Sequence, residues 1–447
     1  MENKNIMGYK PIFPLLISMA LPPMISMLIQ SLYNIVDSIF VAKIGEEAIT
    51  AISLIYPLQN LSLAISCGIG IAMNAFIARY LGSQDTQKAS HIATQGLVMS
   101  FLHSLLFVII GLFLIGPFIN LFTNNTTVAQ YSIEYGTIVI TLTFGSFIHI
   151  AIEKIFQATG NMLIPMIMQI VGAVVNVILD PIFIFGYFGL PSLGVSGAAI
   201  ATIIGQFTAC IISILFFKKY NHHIHISFKN FHFDAHVFKN LYSIAILSGV
   251  MMCLPSILVS ILNAILSTIS QTSVAFFGIY YKLQTFIFMP AAGIIQGMRP
   301  ILSYNYGAKE KIRMNQTIKV SLLCISSIFL CGTLYFFCFP QSLLSLFDAN
   351  DTMLKMGMTG LRILSLSFIL SSFGILMSGV FESLGLGKYS LIISLLRQFL
   401  IIIPLSLILL PNFGINSVWM TFPIAELIAS LFAFYFYLKK YKCIMFQ

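Results

Sequence analysis

GIGIAMNAFIARYLG at residues 68–82 and GIIQGMRPILSYNYG at residues 293–307 are one stretch written twice. Each opens on a glycine inside an apolar run, Gly68 or Gly293, and closes on another, Gly82 or Gly307. Each then passes into a short charged loop, SQDTQKA or AKEKIRMN. The copies lie 225 residues apart in a chain of 447. Phe156, Gln157 and Gly160 in IFQATGN match Phe381, Glu382 and Gly385 in VFESLGL at the same offset. Gly194 in GVSGAAIATIIGQ matches Gly414 in GINSVWMTFPIAE with an offset of 220, because one loop is shorter. Matches in the same order along the chain make it two homologous halves, a plan common among membrane transporters.

Apolar residues form 58% of the chain and charged residues 8%. A soluble domain carries about 25% charged residues, so this composition belongs to an integral membrane protein. Mean hydropathy, +0.95, agrees. The net charge of +9 sits mostly in short loops between apolar runs, where it sets orientation and does not indicate nucleic-acid binding. The seven cysteines (67, 210, 253, 324, 331, 338 and 443) form no C-x-x-C pair and read as buried small hydrophobes. The opening MENKNIMGYKPIF has no small-residue cleavage site, so no removable signal peptide is expected.

A spanning helix needs about 20 mostly apolar residues. Twelve such runs are predicted: 13–42, 48–80, 90–122, 133–157, 161–188 and 194–219, then 240–267, 273–306, 314–346, 357–384, 388–411 and 414–438. The expected fold is an all-α integral membrane protein of two six-helix lobes, 1–219 and 240–447, joined by a connector at 220–239. Six spans per half is an even number, so the pseudo-twofold axis is expected along the membrane normal. Lys4, Lys10, Arg79, Lys88, Lys218, Lys219, Lys229, Lys239, Lys309, Lys311, Arg313, Lys439, Lys440 and Lys442 fall on one side. The loops 124–130, 187–193, 267–272 and 410–415 carry no basic residue. Both termini are therefore expected in the cytoplasm, with the protein in the cell (inner) membrane. Asn124 and Asn125 start formal glycosylation sequons on the outer side. The connector, with five of the eight histidines, reads as a solvated amphipathic segment on the membrane surface, with a metal site as the alternative.

Charges inside spans are costly and point to function. Tyr33, Asn34 and Asp37 share a face of the first span, and Asn176 and Asp180 share a face of the fifth. Both spans run outward, and at about 1.5 Å per residue both carboxylates reach similar depth in the outer half of the membrane. Two such carboxylates flanked by amides and a phenol suit a shared proton or a sodium ion, or else cap kinked helices. Pro181 is expected to kink the fifth span at Asp180. Glu153, beside Lys154, is either a substrate counter-ion or an interface acid snorkelling to water. Lys282 is a tentative substrate-site residue that should pair with an acid or a carbonyl. Arg299, before Pro300, reads as structural, and Arg397 and Glu426 are a candidate pair. The 40 Phe and 21 Met residues suit varied apolar or aromatic cargo, although most must face lipid or pack helices. No P-loop, H-E-x-x-H or G-x-S-x-G is present in the sequence, so neither an enzyme nor an organic cofactor is expected.

LYNIVDSIFVAKIG at 32–45, FQATGN at 156–161, NVILDPIFIFG at 176–186 and GIIQGMRPILSYNYGAK at 293–309 resemble the multidrug and toxic compound extrusion (MATE) family, nearest its DinF-like and MepA-like bacterial branch. The resemblance covers the whole chain. It implies an efflux antiporter that exports small cationic or zwitterionic amphipathic drugs or dyes against H⁺ or Na⁺. It implies a cation-coupling set of Asp37, Asn176 and Asp180, with Tyr33 on the same face and sodium as a possible ion there. It also matches Glu153 to the acid of the MepA-like branch on span four. Some branches carry acids on spans seven and ten. Here the nearest is Glu382, so coupling is expected in the first lobe. Gly68, Gly82, Gly293 and Gly307 are expected to permit close helix contact, and a monomer is expected. A flippase for a lipid-linked precursor is the alternative, and it predicts a basic lining for phosphates. A membrane enzyme or receptor would need a catalytic cluster or signalling domain that the sequence lacks.

Overall fold

A computed structural model describes residues 5–221, 223–229, 231–347 and 350–441. Lys4, Lys442 and Cys443 lie outside the described residues. The apolar runs become α1 (Ile12–Ala42), α2 (Glu46–Gly82), α3 (Thr86–Asn120), α5 (Leu163–Phe185), α6 (Gly194–Tyr220) and α7 (Ala235–Ser267). They continue as α8 (Gln271–Gly307), α9 (Lys311–Cys338), α10 (Asp351–Ser383), α11 (Gly387–Phe413) and α12 (Ile415–Tyr441). The fourth span, α4, is a pair, Thr126–Thr141 and Phe144–Ala158, bent by 42°. Each predicted run has its helix, and the twelve spans fall six to each half. α2 and α8, at 37 residues each, are about 55 Å long and exceed a hydrocarbon core of about 30 Å.

The repeat persists in the turns. After α2, Asp85 N donates to Tyr80 O at 2.9 Å, and after α8, Glu310 N donates to Asn305 O at 2.9 Å. Asn161 N to Phe156 O at 3.1 Å and Leu386 N to Phe381 O at 2.7 Å form the second matched pair. These are helix-ending turns that need one left-handed residue. Gly160 and Gly385 supply it with φ of 91° and 78°, whereas the first pair uses Gln84 and Lys309 at 61° and 60°. Gly82 and Gly307 thus end their helices without carrying the left-handed conformation.

Contacts divide the chain into two compact units, Met1–Asn5 with Pro22–Gly249 and Ile6–Leu21 with Val250–Gln447. In the first unit α5 and α6 pack at close range. A Cβ built on Gly205 would stand 2.8 Å from Gly172 O, and one on Gly68 in α2 would stand 2.4 Å from Ala245 O in α7. Side chains at these places would force the helices apart. The second unit is centred on rings: Phe276, Phe277, Tyr280, Phe368 and Trp419 are fully buried and stack or meet edge to face. Arg313 ties the N-terminal segment to this unit by donating to Met7 O at 2.9 Å and Lys10 O at 2.8 Å.

Three expectations change here. The helical backbone of α5 continues through Asp180 and Pro181, because a surrounding helix pair holds it and only one ladder bond is lost. Only Cys210 of the six described cysteines is buried, and Cys331 and Cys338 are exposed on the chain. An apolar thiol suits a lipid-facing position as well as a core one. The connector is irregular over residues 221, 223–229 and 231–234 and packs on α3, and among the described residues no group of three His, Cys, Asp or Glu could hold a metal ion.

Candidate functional site

α1 presents two stripes with helical spacing. Leu28, Leu32, Ile35 and Ile39 are exposed. Ser26, Gln30, Tyr33 and Asp37 form the other stripe, buried or half-buried in the first unit. Gln169 Nε2 on α5 donates to Gln30 Oε1 at 3.0 Å, which aligns the two helices. Further along, the carboxyl groups of Asp37 and Asp180 come within hydrogen-bonding reach of each other. Tyr33 lies close enough to interact electrostatically with both. Asn34, predicted on this face, is exposed instead.

The α5–α6 contact sets the other wall. Gly205 lets α6 approach the backbone beside Asn176, and Asn176 Nδ2 then donates to Asp180 Oδ1 at 3.3 Å and to Thr202 Oγ1 at 3.4 Å. Asp180 is fully buried and Asn176 nearly so. Tyr135 on α4 also lies within electrostatic range of Asp37, Asp180 and Tyr33, and its hydroxyl accepts from Gln59 Nε2 at 3.3 Å. Tyr135, Gln59, Thr202 and Gln30 were not predicted. All are uncharged polar groups in mid-span, and a search restricted to charged residues passes over them.

Two ionised carboxylates offer only acceptors, so contact between them is repulsive unless a proton or a cation sits there. Asp37 Oδ1, Asn176 Oδ1 and Asp180 Oδ2 are buried and have no hydrogen-bond partner. No basic side chain pairs with either aspartate among the described residues. The donor set is therefore all oxygen, which suits a hard monovalent cation or a proton and does not suit a soft metal.

The other predicted charges resolve differently. Glu153 does not snorkel. It is buried, with Oε1 accepting from Lys154 Nζ at 2.8 Å and Gln157 Nε2 at 2.7 Å. Lys154 reaches Gln157 Oε1 at 3.1 Å as well, so the three side chains form a closed cluster one turn of α4 from buried His149. Lys282 is exposed on α8 and has no hydrogen bond or ion pair among the described residues, so the expected partner is absent. Arg397 and Glu426 do pair, Nη2 to Oε1 at 2.7 Å and Nε to the same oxygen at 3.1 Å. Arg299 pairs with Glu382, a contact not predicted, because the two lie 83 residues apart.

The MatE family profile matches residues 22–182 and again 248–408, once in each half. The multidrug export protein MepA of Staphylococcus haemolyticus is 26% identical over 426 residues, covering 95% of this chain and 93% of that protein. A Staphylococcus aureus MepA is 27% identical over 429 residues, with the same coverage. The crystal structure of MATE in complex with MaL6 superposes with a TM-score of 0.92 at 22% identity over the whole of both chains, which carries the fold. A profile that recurs in both halves, full-length likeness to export proteins and this twelve-helix fold place the chain in the MatE family: it is a multidrug and toxic compound extrusion (MATE) family efflux transporter.

Proposed function

We propose that this protein is a secondary-active antiporter that exports cationic or zwitterionic amphipathic compounds in exchange for H⁺ or Na⁺. The observation that carries this reading is the contact of Asp37 with Asp180, with three unpartnered buried oxygens around it. A cation or proton taken up there relieves the repulsion and lets α1 shift against α5. Pro22 and Pro23 interrupt the hydrogen-bond ladder of α1 below the site and provide a place for it to bend. Bending couples ion uptake to release of cargo as the two lobes rock. Asn176 and Tyr33 hold the carboxylates in register.

The substrate class rests on the MepA relatives, which are multidrug export proteins. The cell (inner) membrane and cytoplasmic termini rest on the basic loops. The protein acts as a monomer in the lipid bilayer and needs no cofactor beyond the coupling ion. A flippase needs several free cations for phosphates, yet Arg299 and Arg397 are each engaged by a glutamate and, among the described residues, only Lys282 of the three candidates is left, which disfavours that alternative.

The test is dye export from energised cells or vesicles as the gradients are removed in turn. A protonophore stops export if H⁺ drives it, and a sodium ionophore stops export if Na⁺ does. Export that persists with both gradients collapsed contradicts antiport.

A further inference from the structure

The strap between α6 and α7 has no part in ion coupling, yet it is pinned to the first turns of α3. His225 N donates to Ser90 Oγ at 3.0 Å, Gln95 Nε2 donates to His232 O at 2.7 Å, and His91 Nε2 meets Asp234 Oδ2 at 3.1 Å. The other Asp234 oxygen accepts from His236 N at 3.0 Å and Val237 N at 3.1 Å, which caps α7. Those backbone bonds, and then His91, hold Asp234 below the usual carboxylate range. Its charge is thus already committed.

Strap and helix enclose a cavity of about 170 Å³ bordered by His91, Gln95, His225, Ser227, Lys229 and His232. This is room for several water-sized groups. His225, Ser227, Lys229 and His232 are exposed at its rim, and among the described residues their side chains make no hydrogen bond. Each offers a donor, and Lys229 adds a full positive charge. In the wall, Gln95 is 1% exposed and its Oε1 has no partner. The rim therefore offers donors and positive charge. Three imidazoles alone would suggest a metal, but they are not close enough together for one, and the ammonium of Lys229 repels a cation.

We propose that this cup binds a phosphate group. Phosphate oxygens are strong acceptors for the imidazole, ammonium and serine donors. Two sources share this chemistry: the phosphoglycerol headgroup of an anionic lipid in the cytoplasmic leaflet, and free hydrogen phosphate. Lys218, Lys219 and Lys239 flank the strap in sequence and add positive charge to the segment. An occupied cup fastens the strap, the covalent link between the halves, to α3. The cytoplasmic placement rests on the orientation proposed above, whereas the binding chemistry does not.

The test uses the full-length protein in nanodiscs of phosphatidylcholine, with or without phosphatidylglycerol, and with inorganic phosphate or chloride at matched ionic strength. Thermal midpoints are compared for the wild type and the double variant Lys229→Gln/His232→Gln, whose substituted residues are exposed and leave the fold unchanged. The wild-type midpoint rises by a few degrees with one of the two ligands, and the variant loses that gain while matching wild type in plain phosphatidylcholine and chloride. A gain with phosphatidylglycerol alone identifies the headgroup, and a gain with phosphate alone identifies the free anion. No gain with either, or an equal gain in both proteins, overturns the proposal. A zinc-dependent gain confined to the wild type replaces it with a metal site.

Discussion

The two units differ in one pair of buried acids, although the first also holds a closed one, Glu153 with Lys154. In the second unit each buried glutamate is closed by an arginine, Glu382 by Arg299 and Glu426 by Arg397. In the first unit Asp37 and Asp180 face each other with no basic partner among the described residues and with oxygens left over. The frames are the same: the turns at 80–85 and 305–310 carry identical hydrogen bonds. The second unit has satisfied its buried glutamates locally, and the first leaves one carboxylate pair without a fixed counter-charge among the described residues. A buried acid with a fixed arginine holds helices together, whereas one without a partner must find its cation elsewhere.

The same comparison runs through single positions at the 225-residue offset. Asn74 and Gln157 stand where the second half has Arg299 and Glu382, but they do not form the matching pair: Asn74 Nδ2 donates to Lys154 O at 3.4 Å and Gln157 Nε2 to Glu153 Oε1 at 2.7 Å. Gly70 packs under Lys154, and a Cβ there would meet Lys154 Cγ at 2.6 Å. The matched positions are Ile295 and Gly379, and a Cβ on Gly379 would meet Ile295 Cγ2 at 2.6 Å. Bulk and gap have changed sides across one conserved helix contact, which is how a packed interface survives divergence.

Variants can break this comparison in order of expected effect. Arg397→Ala leaves Glu426 buried and alone, and the destabilisation should be about 3 kcal/mol, read from thermal or denaturant unfolding in detergent. A wild-type midpoint for that variant would mean that the second-unit pair is not structural. Gly379→Ala should cost about 1–2 kcal/mol by overpacking against Ile295, with most of it recovered in the double variant with Ile295→Ala. Additive losses would separate the two positions. The smallest effect is at the turns. Asp85 caps α3 by accepting from Lys88 N at 2.9 Å, while its counterpart Glu310 makes no such side-chain cap. Hydrogen bonds from the side chain and backbone of Lys88 hold the Asp85 pKa below the usual carboxylate range. The sign follows: the contribution is full above the ordinary carboxylate range and is lost as pH falls through the lowered folded value. Asp85→Asn should therefore lower the midpoint slightly at neutral pH and leave it unchanged in strong acid, whereas Glu310→Gln should do neither.

Much of this contrast was legible in the residues. Period and run length placed every span, and the repeated GIGIAMNAFIARYLG pattern fixed two halves, because glycine turns at a constant offset persist when side chains drift. Counting along the first and fifth spans put Asp37 and Asp180 at similar positions, and their carboxyl groups come within hydrogen-bonding reach. What the sequence withheld depends on packing between distant segments. Arg299 finds Glu382 across 83 residues, and the histidine-rich strap, read as a solvated amphipathic segment, folds onto Ser90, His91 and Gln95. Glu153 read either as a substrate counter-ion or as an acid seeking water, and neither reading included Lys154 as its partner. The long Lys154 stem instead curls back, with Gln157 one turn on completing the cluster.

The most direct test of the central claim is dye efflux by Asp37→Asn beside wild type, at matched expression, with pH and sodium gradients imposed separately. The account predicts that wild type exports under one of the two gradients and that Asp37→Asn exports under neither. Wild-type rates from Asp37→Asn would contradict it and make Asp37 a structural acid like Glu426.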